Sequence, residues 1–192
     1  PLPIIGLKKN VTGFRGFDYG TAANTTNLFF DGIVSSNYGG TASPVVGIGY
    51  IGGRNTAYPW NGKIHELIYY NRELTAPERQ RVNTYLSVKW GVSIDTSIMK
   101  VAGVGNDYIL GDGTVIWTAN TSYYHRITGI GRDDCDSLIQ KQSRNVNTSS
   151  PGYATIGLGA IATNNAANLN NFSADKSFLL WADDGKSGTS ST

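Results

Sequence analysis

The stretch WNGKIHELIYYNRELTAPERQRVNTYLSVKWG, from Trp60 to Gly91, decides the reading of this chain. Its first part alternates with period two: Ile64, Glu66, Ile68 and Tyr70 on one side, His65, Leu67 and Tyr69 on the other. That pattern predicts a strand over Lys63–Tyr70. A helix start follows, because Thr75 and Glu78 have the spacing of a capping box. Pro77 falls in the first turn, where its missing N–H is not needed. Val82, Leu86 and Trp90, with Tyr85 beside them, then mark one apolar face of a helix over residues 75–90. Gly91 ends it.

On either side the chain reads as short strands and tight turns. Gly13–Asp18, Thr26–Ile33 and Val45–Ile51 precede the helix as candidate strands, with Asp31-Gly32 as a hairpin dipeptide. After it come Tyr108–Leu110, Val115–Thr118, Ile127–Gly131, Ala154–Leu158 and Ser177–Trp181. Asn164–Asn171 reads as an ordered loop, and Gly185–Thr192 as a linker or frayed end. The composition agrees: 24 glycines against 6 prolines, 40 % hydrophobic residues and 11 % aromatic, enough apolar side chains for a packed β core. The expected fold class is mainly β.

Charge narrows the function classes. Only 16 % of residues are charged and the formal net charge is +2, with no run of Lys or Arg, so nucleic acid is not an expected partner. No segment approaches the ~20 apolar residues that a spanning helix needs. The single cysteine, Cys135, excludes an internal disulfide and sits among acids that disfavour a thiolate. The chain opens on Pro-Leu-Pro with no leader pattern, and is expected to be an internal piece of a longer protein.

Trp60, Gly62, Ile64, Glu66, Tyr70, Arg72 and Leu74 match, without a gap, the closing strand of laminin-G-like (concanavalin A-like) jelly-roll domains in bacterial proteins, which the segment therefore resembles. Tyr85–Val92 is similar to the linker helix after such domains. Gly129-Ile-Gly-Arg-Asp-Asp-Cys-Asp, Gln140-Lys-Gln-Ser, Thr155-Ile-Gly-Leu-Gly and Phe178-Leu-Leu-Trp-Ala-Asp-Asp-Gly resemble a second, poorly characterised β domain of the same large surface proteins. The resemblance implies four parts: residues 1–74 as the C-terminal portion of a jelly-roll sandwich, 75–92 as helix and linker, 93–185 as a second β-rich domain, and 186–192 as a flexible tail. It implies an extracellular, bacterial cell-surface location. It also implies that an upstream segment or a neighbouring chain completes the jelly roll.

Catalytic patterns are lacking. There is no Glu-x-Asp-x-x-Glu strand of a glucanase and no Gly-x-Ser-x-Gly elbow, and Glu66 and Glu73 are out of register as an acid pair. His65 and His125 have ordinary structural explanations in a strand and at a turn. Hard oxygen ligands suit calcium, and acids cluster at Asn106-Asp107, Asp112, Asp133-Asp134-Asp136 and Asp183-Asp184. One Ca²⁺ held by Asp133, Asp134 and Asp136 is the expectation. The loop Gly52–Asn61 offers Arg54, Asn55, Tyr58 and Trp60, the aromatic, amide and guanidinium chemistry that binds sugars. Gly129-Ile-Gly-Arg lacks the Lys-Ser/Thr of a phosphate loop and brings three acids, so Arg132 is expected to clamp the strand end by pairing with Asp133. Sequons at Asn10, Asn24, Asn120, Asn147 and Asn171 suit an extracellular surface.

The function expected from these residues is adhesion by a non-catalytic module through a glycan or a surface protein, with calcium as a structural cofactor. The alternatives are a spacer in a surface fibre and, least favoured, an accessory part of a carbohydrate-active enzyme.

Overall fold

The computed structural model describes residues 62–94, 107–146 and 154–186 in full, and the backbone of three strands before them, 15–18, 26–30 and 33–38. The chain is mainly β, and the described residues contain one helix. Strands β1 (Arg15–Asp18), β2 (Thr26–Phe30) and β3 (Ile33–Tyr38) form an antiparallel meander, with a bulge at Leu28/Phe29. Phe30 pairs with Ile33, the register a two-residue Asp31-Gly32 connection requires. The expected strand Val45–Ile51 lies outside the described residues.

Helix α1 (Ala76–Trp90) begins one residue after its cap, Thr75. Glu78 reaches back to accept from the Thr75 N–H at 2.8 Å and from the Thr75 hydroxyl at 2.9 Å. At the other end Gly91 takes a left-handed conformation, φ 64°, and the N–H groups of Gly91 and Val92 both close on the Ser87 carbonyl. The deeply buried face differs from the expected one. Gln80, Thr84, Ser87 and Val88 are the buried positions, while Val82, Leu86 and Trp90 are only half-buried. The reason is the surface the helix lies on. It covers strand β4 (Tyr108–Ile109), whose region has backbone groups in need of partners, and Gln80 donates to the Asp107 carbonyl at 2.6 Å while Thr84 accepts from the Ile109 N–H at 3.0 Å.

The remaining strands are β5 (Val115–Trp117), β6 (His125–Asp133), β7 (Leu138–Gln140), β8 (Gln142–Arg144), β9 (Thr155–Gly157) and β10 (Phe178–Asp183). They pair antiparallel as β4-β5, β10-β6-β7 and β8-β9. Val88, Ile94, Tyr108, Ile127 and Leu138 make the buried core, so the helix shares one core with the strands that follow it. Gly129 and Gly131 explain part of the Gly-Ile-Gly motif. Leu180 and Phe178 of β10 lie where their Cβ atoms would be, so bare backbone lets both side chains settle flat on β6.

The segment Lys63–Tyr70 was expected to be a strand. It forms no strand ladder with another described segment and belongs to no described sheet. What holds it is side-chain chemistry directed at α1.

Candidate functional site

Glu66 anchors the segment 62–74 to the helix. Its carboxylate accepts from the Trp90 indole N–H at 2.6 Å, from Lys89 at 3.0 Å and from the Tyr85 hydroxyl at 3.0 Å. Lys89 also donates to the Tyr85 hydroxyl and lies 4.7 Å from that ring's centre. Burial pushes the Glu66 carboxyl up, but the hydrogen bonds from Trp90, Lys89 and Tyr85, with the Lys89 charge, bring it below the ordinary glutamate value. His65 packs its ring on Trp90, centres 5.1 Å apart. Six residues on, Arg72 grips Glu78 with two hydrogen bonds of 2.6 and 2.8 Å. Glu66 and Arg72 thus face the helix.

A cleft of about 420 Å³ opens between this segment, α1 and the β4–β5 turn. Ile68, Tyr70 and Leu74 form one wall, Arg81, Val82 and Tyr85 of the helix another, and Gly111 and Asp136 the floor. The floor has a clear cause. The buried Asp133 carboxylate accepts from the Gly111 N–H at 3.1 Å and from the Cys135 N–H at 3.0 Å, tying the β4–β5 turn to the end of β6. Gly111 is thereby pinned beneath Asp136, and a Cβ there would lie 2.6 Å from its carboxylate oxygen. Only glycine leaves the carboxylate its place.

Two polar groups of the cleft are not consumed by the fold. Among the described residues no hydrogen bond or ion pair engages the Asp136 carboxylate. Burial, then the charges of Asp133 and Asp112, push its carboxyl up, with Arg81 opposing them. The Arg81 Nε is buried and has no hydrogen-bond partner among the described residues. The other charges are engaged: Glu66 and Glu78 as above, Asp112 by Lys176 and by the Thr114 N–H at 2.9 Å.

The expected calcium ligands do not converge. Asp133 is spent on backbone N–H groups, and Asp134 is held by Arg132 through hydrogen bonds of 2.6 and 2.8 Å. Arg132 therefore clamps the strand end as expected, but on Asp134 rather than Asp133, since Asp133 points inward. Of the three, only Asp136 keeps free oxygens, and the described residues contain no group of three acid, histidine or cysteine side chains placed to hold a metal ion. Elsewhere, Asp107 accepts from the Ala119 N–H at 2.8 Å and Asp183 pairs with Arg126 at 2.5 Å. Cys135 is exposed, and desolvation followed by the charges of Asp136, Asp133 and Asp112 raises its thiol pKa. Arg54, Asn55, Tyr58 and Trp60 lie outside the described residues. Arg81 was not among the residues singled out from the sequence, since nothing in the spacing joins position 81 to 136.

A family model of the domain of unknown function DUF8202 matches residues 78–192, more than half of the chain. The chain belongs to the DUF8202 family. No curated protein and no solved structure matches it. The DUF8202 match begins at Glu78, the residue that Arg72 grips. Yet Ile68, Tyr70 and Leu74, which close the cleft, precede the match. The site is therefore built jointly by the DUF8202 region and the segment before it. No helix among the described residues is long and apolar enough to cross a membrane.

Proposed function

We propose that this chain is a non-catalytic adhesion module of a bacterial cell-surface protein, and that it captures a glycan or a surface protein in the cleft between segment 66–74 and α1. The observation that carries this reading is a pair of charged groups, the Asp136 carboxylate and the Arg81 guanidinium, which make no hydrogen bond or ion pair among the described residues and line a cleft otherwise walled by Ile68, Tyr70, Leu74, Val82 and Tyr85. A fold satisfies its half-buried polar groups, and sites that bind ligands leave a few convergent ones open. The extracellular placement rests on the resemblance to laminin-G-like surface proteins, as does the proposal that an upstream segment completes a jelly roll.

A spacer role is the second reading, favoured by one feature. Leu67 and Tyr69, 57 % and 68 % exposed, lie on the same side of the alternation in a segment that no described strand pairs. Such a surface suits contact with a neighbouring domain.

Screening the 192-residue chain against immobilised glycans and surface proteins, with calcium and with chelator, tests the proposal. Saturable binding that survives chelation supports the cleft as the site. Binding that requires calcium contradicts the cleft reading, and no binding to any member moves the function to the spacer.

A further inference from the structure

The ligand chemistry of the cleft can be narrowed, on the reading that the cleft is the binding site. We infer that it takes a neutral polyhydroxylated ring, a pyranose, with Asp136 accepting from one hydroxyl and Arg81 donating to its neighbour. The argument is one of charge and complementarity. Asp136 is an acceptor with no donor among the described residues, and the Arg81 guanidinium, whose Nε is buried, makes no hydrogen bond or ion pair among them, leaving its terminal N–H groups as donors. Both border the same cleft, and Arg81 acts electrostatically on Asp136. A carboxylate or phosphate ligand would meet Asp136, with Asp133 and Asp112 near enough to act on it as well. An ammonium could pair with Asp136, but Arg81 would repel it and its N–H donors would be left without an acceptor. A hydroxyl both donates and accepts, so vicinal hydroxyls satisfy the two groups at once and bring no charge of their own.

The walls agree with such a ring. The C–H face of a pyranose packs on aromatic and aliphatic surface, and Tyr70 and Ile68 supply it on the side open to solvent, 44 % and 38 % exposed. The volume of about 420 Å³ admits one or two sugar rings. Glu66 and Glu78, the other carboxylates at the edge, already accept three or more hydrogen bonds each and offer a sugar little.

The test is a titration of the full chain, followed by protein NMR, with three sugars of one ring type and different charge: glucose, glucuronic acid and glucosamine. Neutral glucose should bind with shifts on Tyr70, Arg81 and Asp136, and each charged sugar about tenfold or more weaker. Asp136→Ala should weaken glucose binding about tenfold, the scale of one lost hydrogen bond from a desolvated site. Tyr70→Phe, on an exposed residue, should weaken it less while the melting temperature stays at the wild-type value, so a folding defect in the first variant does not decide the matter. Equal or tighter binding of glucuronic acid or glucosamine overturns the inference, as does a Kd untouched by Asp136→Ala. Absence of binding by all three sugars overturns it too. If the panel screen then finds a protein ligand lost in Asp136→Ala, the cleft reading survives without the pyranose. If the panel is also empty, both fall.

Discussion

Gly91 is the position where a single methyl group should do most damage. It ends α1 at φ 64°, a conformation that costs an alanine ~1–2 kcal/mol. A Cβ added there would also fall on the Arg144 carbonyl of β8, main chain that cannot rotate aside. Relieving that overlap means moving the strand. The nearest bond to be lost is the one from the Val146 N–H to the Gly91 carbonyl, 2.8 Å, with a net value of about 1 kcal/mol. Against this, alanine narrows the unfolded ensemble by roughly 0.4–1 kcal/mol. Gly91→Ala should therefore destabilise by about 1–2.6 kcal/mol, and lower Tm by roughly 2–10 °C for a chain of this size. Gly113→Ala is the control. Its φ is 93°, but the nearest atom to an added Cβ is the movable end of Arg81, at 3.4 Å. It carries the backbone term alone, about 1 kcal/mol, and a drop of roughly 2–4 °C. Thermal melts by circular dichroism read both. Equal losses in the two variants, or a Gly91→Ala loss below about 2 °C, would refute the packing of the helix end on β8.

Three further outcomes follow from the same geometry. Glu66→Gln should cost about 1 kcal/mol at neutral pH, because three donors lose a charged acceptor in a partly exposed site. The folded carboxyl sits below its unfolded value, so its stabilisation is full above the ordinary glutamate range and lost as pH falls through the folded pKa. Melts of wild type and variant should therefore converge as pH falls below the ordinary glutamate range, and a constant gap would count against the anchor. Tyr108→Phe should cost ~1–3 kcal/mol by urea denaturation, since the buried hydroxyl, its pKa pushed up to about 12 by burial, accepts from the Ile94 N–H at 3.1 Å; an unchanged midpoint would mean that N–H has another acceptor. Excess calcium against chelator should leave Tm unchanged, as Asp133 and Asp134 are already engaged, and a rise of several degrees would reinstate the aspartate cluster as a metal site.

Most of the element order was legible because it depends on local chemistry. Thr75 with Glu78, Pro77 and Gly91 mark the helix within one residue. Strands β7 and β8 were missed, being three residues each with Gln140, Gln142 and Arg144 where alternation would show. The buried helix face was misread because it is polar. Periodicity of apolar residues cannot see Gln80 and Thr84 going inward to satisfy Asp107 and Ile109 backbone. Lys63–Tyr70 has a strand's alternation, but a ladder needs a partner strand, which is information from elsewhere in the fold. The site was legible only in fragments. Asp136 attracts notice as one of three acids, yet its role follows from Asp133 turning inward to pin Gly111, and from Arg81 arriving on a helix far earlier in the chain. Tertiary packing brings those groups together.

The most direct measurement is the glycan panel probed in parallel with the wild-type chain and with Asp136→Ala, both shown folded by their melts. The account predicts saturable binding by the wild type, retained under chelation and weakened about tenfold or more by the substitution. Binding that is equal in the two proteins would place the ligand elsewhere and contradict the cleft as the site.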